Sequence, residues 1–108
     1  MKKKEERLVT TDELIDAVAE WGQSHKIDNP LMQYAKVTEE IGEIAHELTR
    51  GRYDAPELID ALGDSTVTLI ILADILGYDL RACLREAYEE IKDRRGKTVD
   101  GSFVKEGQ

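Results

Sequence analysis

The sequence lacks several features that mark secreted and membrane proteins. It contains one cysteine, Cys83, so it forms no internal disulfide, and such a lone residue is typical of a small buried hydrophobe in a reducing compartment. The longest apolar stretch, residues 67–73, is far too short to cross a bilayer. The basic opening MKKK is followed by no apolar segment, so no secretory leader is predicted. These absences predict a soluble cytoplasmic protein.

Positive charge is also scarce. Lys and Arg number 15 against 23 Asp and Glu, a formal net charge of -8. A chain of this charge repels a bare nucleic-acid backbone and an anionic membrane, so neither is a predicted partner. An anionic ligand would need local cations or metal ions to bind.

Strand-like alternation is nearly absent before the last dozen residues, whereas helix start and stop signals recur. Thr10 and Glu13 have the spacing of a capping box, and Pro30 and Pro56 stand where a first helical turn begins. The sequence predicts one all-α domain over residues 1–108, a four-helix, bundle-like fold. The tail KTVDGSFVKE predicts a short hairpin or flap. The predicted helices run from Thr10 to about His25, from Asp28 to Gly51, from Asp54 to Gly77, and from Asp79 to about Arg94.

Apolar periodicity assigns a core face to each of the first three helices. The third helix is apolar almost all the way round in the stretch VTLIILA, which favours a homo-oligomeric interface along residues 67–75. A central helix surrounded within one chain is the alternative. The predicted core faces are Leu14, Ala17, Val18 and Trp21; Tyr34, Val37, Ile41, Ile44 and Leu48; and Leu58, Leu62, Leu69 and Leu76.

Carboxylates form a line beside the core face of both the second and the third helix. If the two helices are antiparallel neighbours, the lines meet, and like charges a few ångströms apart repel by roughly 4 kcal/mol per pair. A hard cation such as Mg²⁺ or Mn²⁺ between them would relieve this repulsion, because such ions prefer oxygen ligands. A solvated acidic face is the alternative. The first line is Glu40, Glu43 and Glu47, with Lys36 on the same stripe and Glu39 just outside it, and the second line is Glu57, Asp60 and Asp64.

Two other interpretations stay open at this point. Glu43 and His46 have the Glu-x-x-His spacing of di-iron helix bundles, although the motif occurs once and such sites use it twice. The acidic lines would also suit a non-catalytic helical protein that binds a basic helix or arm.

The segment Glu39-Glu40-Ile-Gly-Glu43, followed by Glu57-Leu-Ile-Asp60-Ala-Leu-Gly-Asp64, resembles the EExxE and downstream ExxD signature of the MazG-like all-α nucleoside triphosphate pyrophosphohydrolases. The flanking residues look like the short, phage-type branch, and the resemblance covers about residues 31–105. It implies hydrolysis of a (deoxy)nucleoside triphosphate to the monophosphate and pyrophosphate by water attack at the α-phosphorus. It also implies Mg²⁺, with Mn²⁺ as a substitute, and a homodimer or homotetramer, the tetramer being slightly favoured.

The resemblance also assigns roles to individual residues. Glu40, Glu43 and Asp64 become metal ligands, and Glu39 becomes a catalytic residue that binds metal or orients water. The glutamate of the family's ExxD falls on Ala61, so Asp60 is the expected replacement ligand. The remaining predicted substrate contacts are Lys36, Lys92, Arg95 and Lys97 for phosphate and Trp21 for base stacking, with a core position the alternative for Trp21.

Overall fold

The computed structural model describes residues 9–107. The chain divides after Tyr78 into two compact units, the first with three helices and the second with one helix and a hairpin. The predicted all-α class with a C-terminal hairpin is confirmed. Within the described residues, no helix is long and apolar enough to cross a membrane. The elements are α1 Thr11–Ser24, α2 Pro30–Leu48, α3 Pro56–Ile75, α4 Leu80–Ile91, β1 Gly96–Val99 and β2 Ser102–Lys105.

Local sequence fixes most helix starts. The Thr10 hydroxyl accepts from the Glu13 amide at 3.1 Å and the Glu13 carboxylate accepts from the Thr10 amide at 2.9 Å, which completes the predicted capping box. Asn29 caps α2 by accepting from the Met32 amide at 3.0 Å. The third helix begins at Pro56 with Ala55 at its N-cap and no side-chain cap, so it starts later than the predicted Asp54.

The second and third helices pack as an antiparallel pair, in which Gln33 near the start of α2 meets Thr68 toward the end of α3. The α2 face turned toward α3 carries more polar side chains than the sequence predicted. Gln33, Val37 and Glu47 are buried, and Glu40 and Ile44 are half-buried, a spacing of three and four residues along one side of α2. The buried residues of α3 are Leu58, Ala61, Ser65, Ile70, Ile71 and Ala73.

Nine of the thirteen predicted core residues are exposed within the single chain. On α1, Leu14 and Trp21 are about half exposed, because Gly22 lies on the side that packs on α3. The six exposed ones on α2 and α3, together with Ile59, form one surface, here called the apolar face. It lies about 90° around each helix from the α2–α3 seam and opposite the carboxylate lines. The apolar face consists of Tyr34, Ile41 and Leu48 on α2 and Ile59, Leu62, Leu69 and Leu76 on α3.

The apolar belt over residues 67–75, predicted as an interface, is largely covered within the chain. Ile70, Ile71 and Ala73 are buried, and within the belt only Leu69 is exposed. Close approach of α1 provides part of this cover, because a Cβ built on Gly22 would lie 3.2 Å from Ile71 Cγ1. The belt therefore follows the alternative prediction, burial within one chain, except at Leu69, which belongs to the apolar face.

Gly22 is expected to be sensitive to substitution because it lies against Ile71. Gly22→Val should lower the free energy of unfolding by about 1–3 kcal/mol, the usual cost of overpacking a closed contact. Urea denaturation followed by circular dichroism measures this change. Gly42→Ala is the control, because nothing lies within 4 Å of a Cβ built there. A valine variant as stable as the parent would contradict the packing of α1 on α3.

The second unit consists of α4 and the hairpin. Asp79 caps α4 by accepting from the Arg81 amide at 2.9 Å, and the side-chain hydrogen bond from Arg81 is the main cause of its lowered pKa. The contribution of Asp79 to stability is therefore present above its unfolded pKa and lost as the pH falls through the folded value. In the hairpin, Asp100 and Gly101 adopt positive φ angles of 51° and 77°, as a two-residue turn requires.

Candidate active site

The two predicted carboxylate lines meet in one cleft, here called the acid cleft, with the exception of Glu47, which is buried outside its lining. It has a volume of about 320 Å³ and lies between α2 and α3. Residues 39, 40 and 43 fall within about one turn of α2, and residues 57, 60, 61 and 64 fall on one side of α3 because they recur every three or four positions. The residues that line it are Glu39, Glu40, Glu43, Glu57, Asp60, Ala61 and Asp64.

The charge in the acid cleft disfavours a further negative charge. The pKa of Glu40 is raised above its ordinary value, chiefly by burial and then by the nearby carboxylates of Asp64, Glu39 and Glu43. Lys36 acts in the opposite direction but is the weakest influence. Its ammonium lies 3.9 Å from a Glu39 oxygen, in a pair that is mostly exposed to solvent.

The donor atoms of the acid cleft fit a hard divalent cation. Six carboxylates supply only oxygen ligands, the set that Mg²⁺ and Mn²⁺ prefer. Within residues 9–107, no group of three or more Asp, Glu, His or Cys side chains is already arranged to hold a metal ion. Coordination would therefore require rotation of Asp and Glu side chains, which are free to change rotamer where they are exposed.

The wall of the acid cleft has an alanine, Ala61, at the position where the family signature has a glutamate. Ala61 is 3% exposed and offers no ligand atom. Asp60, the predicted replacement, lines the cleft. Glu57 lines it too, although the family resemblance does not name Glu57 as a ligand. The signal for Glu57 was present in the sequence, because Glu57 shares the helical arc of Asp60 and Asp64.

A second cavity adjoins the acid cleft and shares Glu40 and Asp64 with it. Its volume is also about 320 Å³, and its walls come from α1, α2, α3 and the α1–α2 turn. Trp21 is 51% exposed and packs on the His25 ring at a centroid distance of 4.3 Å, which leaves indole surface for a ligand. We call this space the side cavity. It is lined by Trp21, Ile27, Gln33, Lys36, Glu40, Asp64, Val67, Thr68 and Ile71.

The other predicted site residues lie elsewhere in the chain. Lys92, Arg95 and Lys97 belong to the second unit, where the Lys92 ammonium lies 2.8 Å from Glu89 and the Arg95 Nε lies 3.8 Å from Glu106. Lys97 is in β1, where it pairs with Val104. His46 is outside the lining of the acid cleft, and its Nδ1 lies 3.0 Å from Arg50 Nη1. Its position gives no support to a di-iron site.

Comparison with known proteins places this fold. The sequence matches no protein-family model and no curated relative. A crystal structure of a MazG protein conserved in Bacillus, described as a nucleotide pyrophosphohydrolase, matches with a TM-score of 0.68 and 25% sequence identity, over 83% of this chain and 97% of that chain. The match supports the MazG-like all-α family that the segment from Glu39 to Asp64 resembles.

Proposed function

We propose that this protein is a metal-dependent pyrophosphohydrolase that converts a nucleoside triphosphate, preferably a deoxynucleotide, to the monophosphate and pyrophosphate. The acid cleft with its adjoining side cavity carries the proposal. A cluster of six carboxylates suits metal-bound phosphates, and a neighbouring space with apolar walls and an exposed indole suits a nucleoside. The similar Bacillus protein, described as a nucleotide pyrophosphohydrolase, supports the same reaction class.

Different roles are proposed for the residues of the acid cleft. Glu40, Glu43 and Asp64 would hold the cation, with Asp60 or Glu57 in place of the carboxylate missing at Ala61. When bound, Mg²⁺ neutralises phosphate charge and lowers the pKa of coordinated water. The Glu39 side chain is 62% exposed, whereas Glu40 is half-buried, so Glu39 can accept a proton from the attacking water and pass it to solvent.

The side cavity would hold the nucleoside. Glu40 and Asp64 border both spaces, so a ligand with phosphates in the acid cleft has its sugar and base directed into the side cavity. Trp21 offers a face for stacking on the base, and the Lys36 ammonium at the boundary can neutralise phosphate charge. The family resemblance implies Lys92 and Arg95 as further phosphate contacts, and Lys97 is a cation close to them in the sequence.

We also propose that the protein self-associates, as a dimer or a tetramer, through the apolar face. Tyr34, Ile41 and Leu48 are spaced by seven residues on α2, and Leu62, Leu69 and Leu76 by seven on α3. This is the repeat with which helices pack against further helices. A continuous face of large apolar side chains on two adjacent helices costs free energy in water, and a second copy would cover it.

A panel of triphosphates tests the proposed reaction. The protein should release pyrophosphate and a monophosphate from at least one of the common ribo- and deoxyribonucleoside triphosphates, and only with Mg²⁺ or Mn²⁺ present. Mg²⁺ alone should also raise the melting temperature, since binding at 100 times the dissociation constant stabilises a protein by about 2.7 kcal/mol.

The same panel separates the enzyme from a non-catalytic acidic protein that binds a basic helix. Chromatography of the products identifies the bond that is cleaved, because release of orthophosphate would indicate attack at the γ-phosphorus. If every triphosphate stays intact with both metals, the proposed reaction is wrong.

A further inference from the structure

Gln33 is a buried amide in the wall of the side cavity. The residue is 6% exposed, and its Nε2 donates to the Thr68 backbone carbonyl at 3.2 Å, across the seam between α2 and α3. Thr68 lies inside α3, where the helix already supplies its carbonyl with a partner four residues further on. The hydrogen bond therefore satisfies no orphan carbonyl. Its effect is to hold the amide plane of Gln33 in one orientation.

The rest of that amide is available to a ligand. Among the hydrogen bonds of the described residues, none uses Gln33 Oε1. Nor does Oε1 belong to the fully buried side-chain atoms without a partner, which within residues 9–107 are Glu47 Oε1 and Ser65 Oγ. Oε1 therefore keeps some accessible surface, and Gln33 lines the side cavity and a space beside it that is also lined by Lys36. Gln33 thus lines this region with an acceptor oxygen and a second N–H that have no partner among the described residues.

The position of Gln33 matches the base end of a bound nucleotide. Gln33 precedes Glu40 by seven residues on α2, so the two are about 10 Å apart along the helix axis. On α3, Ile71 follows Asp64 at the same spacing. The side cavity therefore runs from the shared carboxylates, past Lys36 and Val67, to an end where Gln33 faces apolar walls and Trp21.

We propose that Gln33 reads the hydrogen-bonding edge of the nucleobase and is the residue that determines base specificity. The proposal rests on the proposed function, in which the phosphates occupy the acid cleft. A fixed amide offers one acceptor and one donor side by side, the pattern with which a glutamine recognises a base edge. A buried polar group that meets the wrong edge is left unpaired, and this is the strongest source of discrimination a binding site has.

Substitution of Gln33 tests this role through ratios of kcat/KM across the triphosphate panel. Gln33→Met keeps the shape and removes both hydrogen-bonding groups. It should lower kcat/KM for the best base at least about tenfold, mainly through KM, and bring the values for different bases together. Thermal stabilisation by Mg²⁺ should be unchanged, because the acid cleft is intact. The matched control is Gln23→Met, since Gln23 Nε2 also donates across to α3, to Asp74 at 2.9 Å, but lies outside the side cavity.

A second variant distinguishes recognition of the base from a purely structural role of Gln33, in which it only links α2 to α3 through Thr68. Gln33→Glu loses the bond to the Thr68 carbonyl, as the methionine variant does, but keeps an acceptor oxygen. It should keep part of the base preference that Gln33→Met loses. If both variants lower activity equally toward every base, in step with their melting temperatures, Gln33 is only a structural tie and the inference is wrong. If the parent hydrolyses no triphosphate, the proposed function itself fails, and this outcome is distinct from unchanged base ratios.

Discussion

Glu40→Gln should abolish pyrophosphate release without destabilising the protein. Loss of a partner that merely orients a metal ligand costs about 10 to 100 times in metal affinity or activity, so loss of a ligand should cost at least about a hundredfold in kcat/KM. The free energy of unfolding of the metal-free protein should instead increase. The pKa of Glu40 is raised by burial and by Asp64, Glu39 and Glu43, so its ionised form is less favourable in the folded than in the unfolded protein.

The sign of this stability effect follows from proton binding. Between the unfolded and the folded pKa of Glu40 the native state binds more protons, so stability from this group decreases as the pH rises through that window. A neutral glutamine removes the unfavourable charge, so at pH 7 the metal-free variant should melt at a higher temperature than the parent. Added Mg²⁺ should then stabilise the variant less than it stabilises the parent.

The control for this experiment is Glu20→Gln, an exposed carboxylate on α1 outside the acid cleft. It makes the same change of charge and should leave both turnover and the Mg²⁺ effect unchanged. Activity within a factor of about three of the parent in Glu40→Gln would exclude Glu40 as a ligand, since such a change corresponds to well under 1 kcal/mol in the barrier.

Leu62→Glu and Ile71→Glu should both have large effects, dissociation of the assembly in the first case and unfolding of the domain in the second. Leu62 is 52% exposed on the apolar face, so a charge there is tolerated within the chain but not against a second copy. We expect Leu62→Glu to reduce the mass of the assembly to that of a monomer while the helical content persists. Ile71 is 3% exposed and contacts Gly22, so a buried, unpaired glutamate there should cost more than about 4 kcal/mol and unfold the domain.

Light scattering and circular dichroism together distinguish these outcomes. Leu84→Glu is the matched control, because Leu84 is an equally apolar side chain, 69% exposed, on α4 rather than on the apolar face. A Leu62→Glu variant with the mass of the parent assembly would show that the apolar face is not the interface. A parent that is itself monomeric would refute self-association altogether.

Much of the fold could be predicted from local signals. The Thr10–Glu13 capping box, Asn29 before Pro30, and Asp79 before α4 all depend on residues within one turn of each other, so the sequence shows them directly. The carboxylate lines were also predictable, because helical spacing decides which side chains share a face. The resemblance of Glu39 to Asp64 to a family signature then added predictions of the metal ligands and of the reaction, which spacing alone does not provide.

Which faces are buried was harder to predict, for a physical reason. Periodicity shows that Tyr34, Ile41 and Leu48 share one side of α2, but it does not show which neighbour covers that side. In the structure α3 packs instead on the stripe that contains Gln33, Val37 and Glu47. A helix with two adjacent apolar or half-apolar stripes can bury either of them, and the choice depends on how its side chains interlock with the partner helix.

The sequence by itself determined the helices, the carboxylate lines and their charge, because helix caps, helical spacing and charge are properties of neighbouring residues. Only the tertiary structure decided that the two lines enclose one cleft, that Glu57 joins it, and that Trp21 and Gln33 border a cavity beside it. These relations join residues as much as 50 positions apart, such as Trp21 and Ile71. They depend on the packing of three helices, which is set by side-chain shape and has no counterpart in any local pattern.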